Sequence, residues 1–157
     1  MNWKEWLLKW NVVYLKLNTG FAELEFSPEE ADRDAAWEMY IELLTRITTQ
    51  KLLPDDGDEQ TALGSVFSLF AITRETLKRQ GRRSGEFAKL AIVVLNQVVR
   101  PFTAKWHKLS LAGAFADKAK CTEFREELTA LQEKLQIYTK MLADMAGVED
   151  LTSLEGE

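Results

Sequence analysis

Few side chains in this chain could do covalent or proton-transfer chemistry. His107 is the single histidine and Cys121 the single cysteine, so a His-based triad could use only His107. Cys121 has no nucleophile signature around it; on a helical stripe it reads as a small core residue. His107 follows Trp106 at the end of a helical segment and reads as a group that satisfies helix C-terminal carbonyls. One histidine cannot supply the paired Glu-x-x-His ligands of a di-iron bundle. The loop Pro54-Asp55-Asp56-Gly57-Asp58-Glu59 could attract a hard cation, but it lacks EF-hand spacing and reads as a solvated acidic loop. The glycines stand singly, with no phosphate-binding loop and no dinucleotide fingerprint. No catalytic residue, metal site or cofactor is therefore expected.

Charge points to binding instead. The net charge of −5 conceals three blocks: residues 1–60 sum to −7, residues 61–120 to +8 and residues 121–157 to −6. In the central block, Arg74, Lys78, Arg79, Arg82, Arg83 and Lys89 gather around one turn, and Arg100, Lys105, His107 and Lys108 form a second group. Such groups could hold nucleic-acid phosphates. The acidic blocks are of matching size, however, and internal neutralisation is the leading expectation; a chain of pI near 5.1 is also a poor general binder of nucleic acid. A second candidate surface is the N-terminal Trp3, Trp6 and Trp10 beside Lys4 and Lys9, a pattern resembling a membrane-interface anchor. Glu5 opposes that use, and docking of the segment onto the rest of the chain is preferred; tryptophans left exposed would form a partner hot spot. Arg100-Pro101-Phe102 with Trp106-His107 either lines a pocket or packs around a helix's own bend.

The elements that must carry these residues follow from periodicity. Trp3, Trp6, Leu7 and Trp10 share one helical face, predicting a short amphipathic helix. Residues 12–26 suit a β-hairpin around Asn18-Thr19-Gly20, because pairing Leu17 with Ala22, Leu15 with Leu24 and Val13 with Phe26 places all six on one face. A rival reading extends the first helix to Leu17. A capping box at Ser27-Pro28-Glu29-Glu30 starts a helix that buries Trp37, Tyr40, Ile41, Leu44 and Ile47 and runs toward Pro54. A second helix spans about Asp58 to Gln80, burying Leu63, Val66, Phe67, Phe70 and Leu77, with Gly81 as its stop. A third begins near Ser84, apolar almost all round through Ala91–Leu95, as befits a central helix; Pro101 should kink or break it. Residues 109–116 read as a loop. The last helix, about Asp117 to Ala146, carries an unbroken stripe of Cys121, Phe124, Leu128, Leu131, Leu135, Tyr138, Leu142 and Met145, suited to bundle packing or to a seam with a partner.

The expected fold is thus mainly α: a four-helix bundle with a short N-terminal helix and a β-hairpin. It forms a single domain over 1–147, with the helix and hairpin in 1–26 and an acidic, flexible tail over 148–157. The length of 157 residues suffices for a real core. With one cysteine no internal disulfide can form, which fits a reducing cytoplasm. The N-terminus lacks an uninterrupted apolar region of a secretory signal. The longest apolar run, Leu90 to Leu95, is far shorter than the roughly 20 residues of a membrane span.

The stretches Phe26-Ser27-Pro28-Glu29-Glu30-Ala31-Asp32-Arg33-Asp34-Ala35-Ala36-Trp37 and Arg100-Pro101-Phe102-Thr103-Ala104-Lys105-Trp106-His107 resemble segments of small bacterial helical proteins associated with prokaryotic defence loci, CRISPR-associated ones included. The resemblance implies a cytoplasmic accessory role in a multi-component system and brings no activity or site. The sequence thus leads to a non-enzymatic interaction protein that docks on or regulates a larger protein. The alternative is an accessory subunit binding RNA or DNA through the basic centre.

Overall fold

The computed structural model describes residues 27–154, together with Glu5. Five α-helical segments account for most of them: α1 (Glu30–Leu44), α2 (Glu59–Gln80), α3 (Gly85–Val94), α4 (Arg100–Leu111) and α5 (Lys118–Ala146). A π-helical turn, Leu95–Val99, joins α3 to α4 without interruption, so the two act as one rod and the layout is a four-rod bundle. The expectation of a β-hairpin is corrected: the fold is helical, with no strand among the described residues. The hairpin's own residues, 12–26, and the helix expected over the first ten residues lie outside those described, Glu5 excepted, which is helical.

The start of α1 is displaced from the expected box. Its N-cap is Glu29 rather than Ser27, and the Glu29 N–H donates to Asp32 Oδ2 at 2.7 Å. The other oxygen of Asp32, Oδ1, accepts from the Phe87 N–H at 2.9 Å, so this buried carboxylate ties the first turn of α1 to the start of α3. A buried acid satisfied by two backbone donors fixes the N-terminus more firmly than an exposed serine would.

α1 also ends earlier than expected, at Leu44. A run of β-branched and amide residues takes over the last carbonyls there: Thr45 Oγ1 donates to Ile41 O at 2.8 Å, Thr49 Oγ1 to Leu43 O at 2.6 Å and Gln50 Nε2 to Leu44 O at 3.1 Å. Side chains that bond nearby backbone compete with helix continuation. Gln132 of α5 then donates to the carbonyls of Ile47 and Gln50, both at 2.6 Å, holding the turn against the bundle.

The inward face of α1 is Ala35, Ala36, Met39, Tyr40 and Leu43, packed against α2, α3 and α5. Trp37 and Ile41, expected inside, are 44% and 39% exposed. Small alanines let α1 approach three neighbours closely, which rotates the large residues outward. α5 matches its stripe: Phe124, Leu128, Leu131, Leu135, Tyr138, Leu142 and Met145 are buried, and Cys121 is half-buried. Gly147 closes the helix in the left-handed region, φ 70°, with Val148 N–H donating back to Ala143 O at 3.1 Å. The residues after it return to α1, where the Tyr40 hydroxyl accepts from Leu151 N–H at 2.6 Å and donates to Glu149 O.

Around Pro101 the rod does not break. Proline has no N–H for the α-ladder and crowds the carbonyl four residues back; the π turn ahead of it widens the backbone there, with Arg100 N–H bonding Leu95 O. α4 then runs on to Leu111, through the start of the expected loop, and a 3-10 turn forms at Ala114–Ala116. The stretch Arg82–Leu111 is long and apolar enough to cross a membrane by composition, yet half of its most apolar window is buried inside the protein. Its apolar stretch is not buried all round, since Ile92 is exposed. Both this rod and α1 touch every other rod of the bundle.

Candidate interaction surfaces

The clusters singled out in the sequence are divided by helix phase. Trp106 points inward and is fully buried. Its ring stacks on Phe115 at 5.9 Å and meets Phe124 edge-on at 5.2 Å, while its Nε1–H donates to Glu127 Oε2 at 2.8 Å. Lys105 beside it bridges Glu123 and Glu127 of α5, which raises its pKa through those hydrogen bonds, Glu127 foremost. Both residues are structural. Arg100 and His107 face the other way, toward α2: the Arg100 guanidinium lies 4.8 Å over the Phe70 ring, and His107 meets Phe67 edge-on at 4.7 Å.

The basic turn is divided in the same manner. Arg79 is bound to Glu38 of α1, and Gln80 Nε2 also donates to Glu38, at 2.7 Å. The Arg79 hydrogen bond is the main reason that the Glu38 carboxyl sits below its ordinary pKa. Arg83 pairs with Glu29 at 3.0 Å, an exposed contact of small energetic weight; Lys89 pairs with Glu86 at 2.9 Å. By contrast, Arg74, Lys78, Arg82, Arg100 and Lys108 make no ion pair among the described residues. Internal neutralisation therefore covers the α1-facing and α5-facing cations and stops there. Trp3, Trp6 and Trp10 lie outside the described residues.

The groups considered for catalysis are separately engaged. Cys121 Sγ lies 3.3 Å from the Phe115 carbonyl, and desolvation, reinforced by the nearby Glu59 carboxylate, pushes its thiol pKa up, away from a reactive thiolate. In the acidic loop, Asp58 caps α2, accepting from Thr61 N–H at 2.8 Å and Thr61 Oγ1–H at 2.7 Å, which lowers its pKa. Glu59 pairs with Arg125 at 2.8 Å, and Arg125 also reaches the carbonyls of Leu53 and Asp56, pinning the loop to α5. Among the described residues no group of three or more His, Cys, Asp or Glu is arranged to hold a metal ion.

One surface was missed by the sequence reading. Between α1 and α2 runs an open cleft of about 440 Å³, lined by Trp37, Ile41 and Ile72 together with Glu38, Glu42, Glu75, Thr76 and Arg79. Trp37 stacks on Tyr40 with ring centroids 6.0 Å apart, which fixes its ring at the surface. The signal for it was present as the i, i+4 pair Trp37 and Ile41, but that spacing alone cannot tell a core face from a displayed one. No protein family, curated protein or solved structure matches the chain.

Proposed function

We propose that the chain is a non-catalytic interaction module that receives an amphipathic, basic helix of a partner protein in the α1–α2 cleft. The single observation that carries this is the display of Trp37 and Ile41, one helical turn apart, at 44% and 39% exposure on an otherwise well-packed bundle. Paired aromatic and aliphatic anchors at this spacing are what a groove-binding helix reads. Of the carboxylates lining the cleft, Glu38 and Glu42 are already paired with Arg79 and Arg46, while Glu75 makes no ion pair among the described residues and fits a partner helix flanked by Lys or Arg. The sequence resemblance to proteins of prokaryotic defence loci supports a place for such a module as a cytoplasmic accessory component of a multi-part system.

The test is affinity capture from the native host with quantitative mass spectrometry. A partner retained by the full chain should fall by at least about ten-fold with Trp37→Ala and Ile41→Ala combined, the loss expected of removing two central anchors. An unchanged partner set with the double variant, folded by circular dichroism, would remove this reading.

A further inference from the structure

Four of the cations that make no ion pair among the described residues, Arg74, Lys78, Arg100 and Lys108, lie along the neighbouring helices α2 and α4. Phe67 contacts His107 and Phe70 contacts Arg100, so α2 runs antiparallel to α4 with these residues on their shared outward border. On α2, Phe67, Ala71, Arg74 and Lys78 follow one another at steps of three and four and are all exposed. On α4, Arg100 and Lys108 are exposed. From the level of Phe67 to that of Lys78 the strip extends about 16 Å along the helix axis.

Acid is sparse along this strip, with Glu75, one residue after Arg74 and three before Lys78, at its edge. Between residues 60 and 117 the only carboxylates are Glu75, which lines the α1–α2 cleft, and Glu86, which is bound to Lys89. Acidic side chains lie on either side instead, with Glu38 and Glu42 on α1 and Glu123 and Glu127 on α5. Within the strip, the Phe67 ring is 49% exposed, held in place by the edge of His107. Exposed side-chain cations beside an exposed aromatic ring form the pairing that single-stranded nucleic acid requires, phosphates on the cations and a base on the ring. The exposed ring favours a single strand, whose unstacked bases can reach it, over a duplex, whose bases are paired and stacked.

We propose that this strip, Arg74, Lys78, Arg100 and Lys108 around Phe67, binds single-stranded RNA or DNA without reading its sequence. It is independent of the protein-docking cleft, which lies on the opposite flank of α2.

Fluorescence anisotropy of the full 157-residue chain with a labelled oligouridylate and its DNA counterpart tests this. Contact with four phosphates gives a log–log salt slope of about −3 between roughly 50 and 200 mM salt. Arg74→Glu, Lys78→Glu and Arg100→Glu combined should abolish binding, and the milder Arg74→Gln and Lys78→Gln pair should weaken it at least about ten-fold with the slope reduced. Phe67→Ala should weaken binding roughly five- to ten-fold while leaving the slope unchanged. Arg79→Gln with Arg83→Gln, which removes the same formal charge from paired positions, should leave affinity within about two-fold. Three results overturn the proposal: no binding at low salt, equal loss from the paired and unpaired arginines, or tighter binding to phosphatidylserine–phosphatidylcholine vesicles than to either strand. Trp37→Ala with Ile41→Ala must leave strand binding intact, so that failure here and failure of the docking cleft are told apart.

Discussion

The two flanks of α2 carry the same kinds of residue and treat them oppositely. Toward α1, Arg79 is bound to Glu38, Gln80 reinforces the pair and the cation is committed to the fold. Toward α4, Arg74 and Lys78 are exposed and make no ion pair among the described residues, and Arg100 lies over Phe70 and donates to Asn96 Oδ1 at 3.1 Å. The same division separates neighbours on α4, where Trp106 and Lys105 bind α5 while His107 turns to Phe67. A cluster in sequence is therefore cut in half by helix phase. Only the half that the fold leaves uncommitted is available for a partner.

The comparison can be broken hardest at its committed side. Trp106→Ala removes a fully buried ring from the Phe102, Phe115 and Phe124 cluster and one of the two donors to Glu127; chemical denaturation should show a loss of about 3–5 kcal/mol. His107→Ala, one residue on, should cost less than about 1 kcal/mol. An equal loss at the two positions would erase the distinction between the inward and outward sides of α4. Asp32→Ala leaves the N–H groups of Glu29 and Phe87 without their acceptor and should cost about 2–4 kcal/mol by the same measurement.

Smaller effects sharpen the contrast. Tyr138 is buried, its hydroxyl has no hydrogen-bond partner among the described residues, and burial pushes its pKa up. Tyr138→Phe should be neutral or stabilise by up to about 1 kcal/mol, since no native bond is lost. Between the flanks of α2, Arg74→Gln and Lys78→Gln should leave unfolding unchanged within about 0.5 kcal/mol, whereas Arg79→Gln should lower Tm. The pH dependence separates them further. Because the Glu38 pKa is lowered in the folded state, its contribution is complete above the ordinary value of 4.5 and fades as pH falls through the lower folded value. Thermal melts across that acid range should converge for wild type and Arg79→Gln, and remain parallel for Arg74→Gln.

How much of this was legible depended on whether one neighbour or several dictated an element's orientation. α5 was readable almost residue by residue, because its buried stripe keeps a simple alternation of three and four. The ends of α2 followed from Asp58 and Gly81, a side-chain cap and a left-handed stop at φ 76°. α1 was misread for a physical reason: it packs on three helices through Ala35, Ala36, Met39 and Leu43, and small residues contribute little to an apolar periodicity dominated by Trp37 and Ile41. The displayed cleft followed from that same rotation. The charge blocks correctly announced internal pairing, but which cations would escape it depends on tertiary neighbours, as Arg79 and Arg74 demonstrate. Likewise, Pro101 marked a disturbance without revealing that a widened turn would absorb it.

That widened turn has a further consequence. One backbone turn at Leu95–Val99 closes over five residues rather than four, so it works as a phase shifter for everything downstream. Deleting a single residue there would restore ordinary helical bonding while swinging the remainder of α4 by about 100°. Trp106 would leave the aromatic core, and the whole border shared with α2 would be re-aimed. The register of one loose coil thus decides which side chains the rod conceals and which it offers.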